Sequence, residues 1–202
     1  DDWHGTTMAG LLVADGKFRG AAPGVDLSIA LALGPSGTTG QESFVAQAVR
    51  WCRITQEADI ISLSLGSDPG SGMAVQSETA QAVQEALDSG IFVVAAAGNR
   101  DSGENISDVS VPANIEGVIA VGTMTRSAGT WSQSATGSIV DPYTQENRTY
   151  PNQKPEVIAP GVLLLSTSGS TIEPPYSYST GTSDSTVLVT GALALILQLY
   201  GD

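Results

Sequence analysis

Four residues stand out for chemistry by type and setting. Asn99 closes the stretch "VVAAAGNR", residues 93 to 100. The Val and Ala run reads as a buried strand, and the carboxyl end of a parallel strand is where open α/β sheets place ligands. Gly98-Asn99 is equally an ordinary tight turn, since both residue types tolerate positive φ, and the stretch alone leaves both readings open. His4 is the single histidine and begins "HGTTMAGLLVA". Ser183 lies in "GTSDSTVLVTG", at the expected start of a helix, where unpaired N–H groups and the dipole favour negative charge; an N-cap serine fits the same place. Cys52 is the single cysteine, so no internal disulfide forms. It shares a helical stripe with Val45, Ala48 and Val49 and reads as core.

The elements that would position these residues alternate between two periodicities. Strand-like runs occupy 25–33, 59–66, 90–98 and 117–124, and apolar runs resume with "VIAPGVLLLST". Helical spacing occupies 41–57 and 74–88, the second carrying Val75, Thr79, Ala82, Val83, Ala86 and Leu87 before a Gly90 stop. Near-continuous apolar strands separated by amphipathic helices predict a three-layer α/β/α sandwich with a mainly parallel central sheet and right-handed crossovers. The polar stretch 125–156 is expected to form surface loops.

The 202 residues suffice for one compact domain with a sizeable core. Eight basic against 21 acidic residues give a net charge of −13, which repels nucleic acid and anionic lipid. Only 14% of residues are charged, so the acidity is read as a solvated surface, and no metal or cofactor is expected. The terminal run "VLVTGALALILQLY" reads as too short and interrupted for a membrane span.

Three separated segments combine into a family resemblance. They are "HGTTMAGLLVA", then "IISLSLGS" with "VVAAAGN", and "GTSDSTVLVTGALAL" preceded by "KPEVIAPG". With the stretch "VSVPANIEGVIAVG", and with His before Ser, the chain resembles the subtilisin-like serine peptidases (peptidase S8) over essentially its whole length. The resemblance implies one subtilisin-like peptidase domain over residues 1–202 and a serine endopeptidase acting on polypeptides. It implies Ser183 as nucleophile, His4 as the base that takes its proton, and Asn99 with the Ser183 amide as oxyanion donors. Ser64, Leu65 and Gly66 would form the strand edge that pairs with an extended substrate. The same resemblance implies secretion.

Two departures accompany it. Asp184 and the pair Val187-Leu188 stand where the family usually has a small or apolar residue and a Pro-His pair. The Asp184 carboxylate either raises the His4 pKa or is a helix-start acid satisfied by the dipole, the second reading being preferred. The family's catalytic aspartate lies about 30 residues before its histidine, whereas three residues precede His4. The expectation is therefore an incomplete or divergent member lacking the aspartate strand and the C-terminal end, with the acid supplied by another segment or another chain. The alternative is a catalytically degenerate scaffold used for peptide binding or assembly.

Overall fold

The computed structural model describes residues 3–34, 42–67, 77–100, 108–142, 144–169 and 175–201. Four parallel strands form the central sheet in the order β1 (Ile60–Leu63), β2 (Phe92–Ala96), β3 (Ile119–Met124) and β4 (Val157–Pro160). Helices α2 (Ser43–Ile54) and α3 (Glu78–Asp88) connect into and between β1 and β2. Helix α1 (His4–Val13) precedes them, and α4 (Thr182–Tyr200) follows the antiparallel pair β5 (Leu164–Thr167) and β6 (Tyr176–Ser179). The expected α/β architecture is present.

Period-two alternation divides the sheet between two cores. Ile61, Leu63, Val93, Ala95 and Ala120 turn to one side and pack with Val49 of α2 and Ala82, Val83 and Ala86 of α3. Val94, Val121 and Ala159 turn to the other, against Val189 and Leu193 of α4. Helix α3 starts where Ser77 accepts a hydrogen bond from the Ala80 amide at 3.0 Å, closing a free N–H of the first turn. Cys52 is half-buried against the first core, and burial pushes its thiol up, as a packing residue requires.

Three expectations need correction. Residues 25–33 form no strand: the segment is irregular, with Leu27 at 41%, Ile29 at 66% and Leu31 at 94% exposure. An apolar segment becomes a strand only when a neighbour completes its ladder, and here it borders an open trough of about 420 Å³ shared with Phe44, Ala48 and Trp51 of α2. The polar stretch 125–156 is not wholly surface. Arg148, 2% exposed in its side chain, makes a two-pronged bond to Asp108 at 2.9 and 2.8 Å. Lys154 Nζ is enclosed by the Ile115 and Val118 carbonyls at 2.8 and 2.7 Å and by Glu156 at 2.7 Å. Finally, the terminal apolar run is a continuous 19-residue helix, long and apolar enough by composition to cross a membrane. All four strands pack on it, which makes α4 the central helix of the domain.

Candidate active site

The carboxyl ends of the four parallel strands meet the first turn of α4. After β1, Ser64 Oγ donates to the Ser183 carbonyl at 3.1 Å, and Ser183 Oγ returns a bond to the Ser64 carbonyl at 3.3 Å. After β2, the Gly98 amide donates to Thr182 Oγ1 at 3.1 Å. From β3, Thr123 shares a 2.9 Å hydroxyl contact with Ser185. From β4, the Ala159 and Pro160 carbonyls accept from Ser185 Oγ at 2.9 and 3.1 Å, and the Gly161 carbonyl accepts from the Gly181 amide at 2.9 Å. Each strand thus holds the helix start by at least one bond, and the two reacting-group candidates on strand ends and helix are fixed relative to one another.

Asn99 combines the two readings of its sequence. Gly98 takes φ of 108°, a conformation glycine adopts at no side-chain cost, and this makes the turn. Asn99 is then oriented by α4: its Oδ1 accepts from the Thr182 amide at 2.9 Å and from Thr182 Oγ1 at 3.0 Å. A backbone N–H can only donate, so the atom facing Thr182 must be the amide oxygen, and Nδ2 is left to point elsewhere. Both polar atoms of the side chain lie near Gly181, a Cβ on that glycine standing 3.3 Å from Nδ2 and 3.5 Å from Oδ1.

His4 is half-buried, and its position follows from helix pairing. Met8 of α1 packs with Val187 of α4, and Leu12 meets Gly191, so residues four apart on one helix match residues four apart on the other. His4 stands one turn before Met8 on α1, and Ser183 one turn before Val187 on α4. The β5 strand holds α1 from the side, with Ser166 Oγ donating to the Thr7 carbonyl at 2.6 Å and Thr167 Oγ1 to that of Thr6 at 2.8 Å. Burial holds the His4 imidazole below its ordinary value. In this arrangement Ser183 Oγ is bonded to the Ser64 carbonyl rather than to the imidazole.

Leu65 and Gly66 continue from β1 as irregular backbone, Leu65 half-buried against the core and Gly66 exposed. The next residue pairs with Val111 through bonds of 3.0 and 2.9 Å, which fixes the end of this segment. Asp1 and Asp2 lie outside the described residues.

Asp184 departs from expectation. It is 1% exposed and its carboxyl is pushed up to about 6, because burial outweighs the bond from Ser179 Oγ at 3.0 Å and that of its own amide. The His4 imidazole is lowered, so the expectation that Asp184 raises it does not hold. Thr182, quoted in the motif but given no task, proves to be the residue that orients Asn99; its position between Gly181 and Ser183 was the available signal. Among the described residues no group of three His, Cys, Asp or Glu side chains could hold a metal.

Comparison with known proteins fits this geometry. The family model of the subtilases (peptidase S8) matches residues 1–202. Subtilisin E of Bacillus subtilis is 36% identical over 201 residues, covering 98% of this chain and 46% of that protein. The major intracellular serine protease of Bacillus subtilis is 34% identical over 197 residues, covering 96% and 54%. In three dimensions the chain is similar to sphericase, with a TM-score of 0.75 and 28% identity, over 98% of this chain and 64% of that one. The chain thus spans about half the length of the curated relatives it matches. On the family match and these identities, the chain belongs to the subtilase family.

Proposed function

We propose that residues 1–202 carry the nucleophile, base and oxyanion donors of a serine endopeptidase acting on polypeptide substrates. Ser183 Oγ leaves the Ser64 carbonyl by a change of rotamer and turns to His4, which takes its proton as the hydroxyl attacks the peptide carbonyl. Asn99 Nδ2 and the Ser183 amide receive the developing oxyanion. Ser64 to Gly66 offer backbone to an extended substrate. The observation that carries this reading is the tie between Asn99 and Thr182, which leaves only the amide nitrogen of Asn99 free to donate beside Ser183. The half-buried imidazole, held below its ordinary value, remains a neutral base at neutral pH.

The acid that orients His4 comes, in this proposal, from a segment outside residues 1–202 or from another chain. Two features support it. β1 is the edge strand of the sheet, and the apolar residues Leu27, Ile29 and Leu31 stand exposed without a ladder among the described residues. A strand entering there would complete the sheet and cover them. No membrane span is proposed, since among the described residues the one helix of sufficient length and apolarity is packed on the sheet. Secretion remains an expectation carried by the resemblance; one relative is named as intracellular, so fractionation decides the compartment.

The test is hydrolysis of an unstructured protein substrate by the isolated chain and by the natural polypeptide that contains it, each against its Ser183→Ala variant. The longer polypeptide should be faster by about 10⁴, a loss known for subtilisin itself on removal of its aspartate rather than one worked from this structure. Equal rates would place the acid within residues 1–202. Rates unaffected by Ser183→Ala would leave a peptide-binding scaffold as the better account.

A further inference from the structure

Asp184 is a buried ionisable group that the proposed reaction leaves without a task. It follows Ser183 directly in the first turn of α4 and is 1% exposed. Oδ2 accepts from Ser179 Oγ at 3.0 Å, while Oδ1 is buried with no hydrogen-bond partner among the described residues. A buried carboxylate ordinarily fills most of its acceptor sites, so the Ser179 hydroxyl and the residue's own amide leave the charged form poorly compensated. The surrounding elements bring no countercharge. β1, β2, β3, β4 and β5 hold no ionisable side chain, α1 holds only His4, and β6 holds only the phenols of Tyr176 and Tyr178. The carboxyl and the Asn99 side chain both flank Gly181: the point where a Cβ on that glycine would stand is 3.3 Å from Asn99 Nδ2, 3.5 Å from Asn99 Oδ1 and 3.6 Å from Asp184 Oδ2.

We propose that Asp184 sets the charge state of the site: protonated, it leaves the Asn99 amide and the Ser183 N–H to hold the oxyanion, and ionised, it places a second negative charge beside that oxyanion and suppresses acyl transfer. The inference rests on the peptidase reading. The only chemical step it adds is loss of the carboxyl proton to solvent water. A carboxyl pushed up to about 6 by burial titrates just below neutrality, and burial lowers the His4 imidazole, which favours its neutral form. Turnover then falls as pH rises through the titration of Asp184.

The experiment follows kcat/KM, and separately the rate of Ser183 labelling by a fluorophosphonate, from pH 4.5 to 9 in the full natural polypeptide. Asp184→Asn keeps the shape of the side chain and removes its titration. At pH 8 a carboxyl of this kind is protonated in about one molecule in 100, so the ratio of variant to parent should rise at least tenfold between pH 5 and pH 8. Ser179→Ala removes a donor that favours the carboxylate, and the falling limb of the parent should move to higher pH. This second variant keeps the question decidable should Asp184→Asn fail to fold. Labelling with parallel profiles in parent and variants overturns the role of Asp184 alone. Absence of labelling at every pH overturns the peptidase reading and this inference with it.

Discussion

Replacing Thr182 by Val tests the packing logic of the site, because the two side chains have nearly the same shape and differ by one hydroxyl. That hydroxyl does two things: it donates to Asn99 Oδ1 at 3.0 Å and accepts from the Gly98 amide at 3.1 Å. Thr182 is 1% exposed, so water cannot easily replace either bond. The lost neutral bond to Asn99 is worth about 1 kcal/mol, and the Gly98 N–H left without its partner costs about 1–2 kcal/mol more. Thr182→Val should therefore destabilise the fold by about 2–3 kcal/mol in urea unfolding with an unchanged m value. Asn99 keeps one anchor, the Thr182 amide at 2.9 Å, and gains freedom to rotate. Fluorophosphonate labelling of Ser183 should slow by about 10- to 100-fold, a fraction of what a full donor contributes. Thr182→Ser, which retains the hydroxyl, should recover most of the labelling rate. A Val variant with the stability and labelling rate of the parent would refute the claim that this hydroxyl orients the amide.

Further outcomes follow from the same structure. Arg148→Met strands the Asp108 carboxylate, with side-chain exposures of 2% and 3% in the parent pair, and should cost about 3–5 kcal/mol, part of which Asp108→Asn restores in the double variant. Gly161→Ala drives a methyl into Ser185 Oγ and to 2.7 Å from the Gly181 carbonyl; a loss of about 1–3 kcal/mol and slower Ser183 labelling should appear together. Asp184 rises to about 6 on folding, so the stability it contributes is present below the ordinary carboxylate range and is lost as pH passes through 6. Asp184→Asn should accordingly gain about 2–3 kcal/mol over the parent at pH 8, less the cost of burying its amide, and lose that advantage at pH 3.5, as read by denaturation at both pH values. The His4 shift has the opposite sign: its imidazole is lowered by burial, so its contribution to stability falls as pH drops below the ordinary histidine range.

Strands and helices with one-sided apolar patterns were legible from the chain because their periodicity records which face is buried. The stripe Thr79, Ala82, Val83, Ala86 and Leu87 lies against the core as its spacing requires. Residues 25–33 carry an equally apolar signal, yet a strand is a property of two segments, and periodicity in one says nothing of the other. The Arg148–Asp108 pair escaped notice for a related reason, since the partners are 40 residues apart and each looks solvated in its own neighbourhood. At the site, residue types named the participants, but their orientation was not legible. Nothing in "GTSDS" reveals that Thr182 faces Asn99, that Ser183 rests on the Ser64 carbonyl, or that Asp184 turns inward. Those directions come from the four strand ends that meet the start of α4.

The central claim is that Ser183 is the activated nucleophile of this chain and His4 its base. The direct measurement is reaction of the natural polypeptide with a fluorophosphonate, digestion, and mapping of the modified residue by mass spectrometry, in parallel with His4→Ala. The account predicts one phosphonylated residue, Ser183, and labelling slowed by several orders of magnitude without the imidazole. Label on another serine, or labelling of Ser183 at the same rate in the His4 variant, would contradict it.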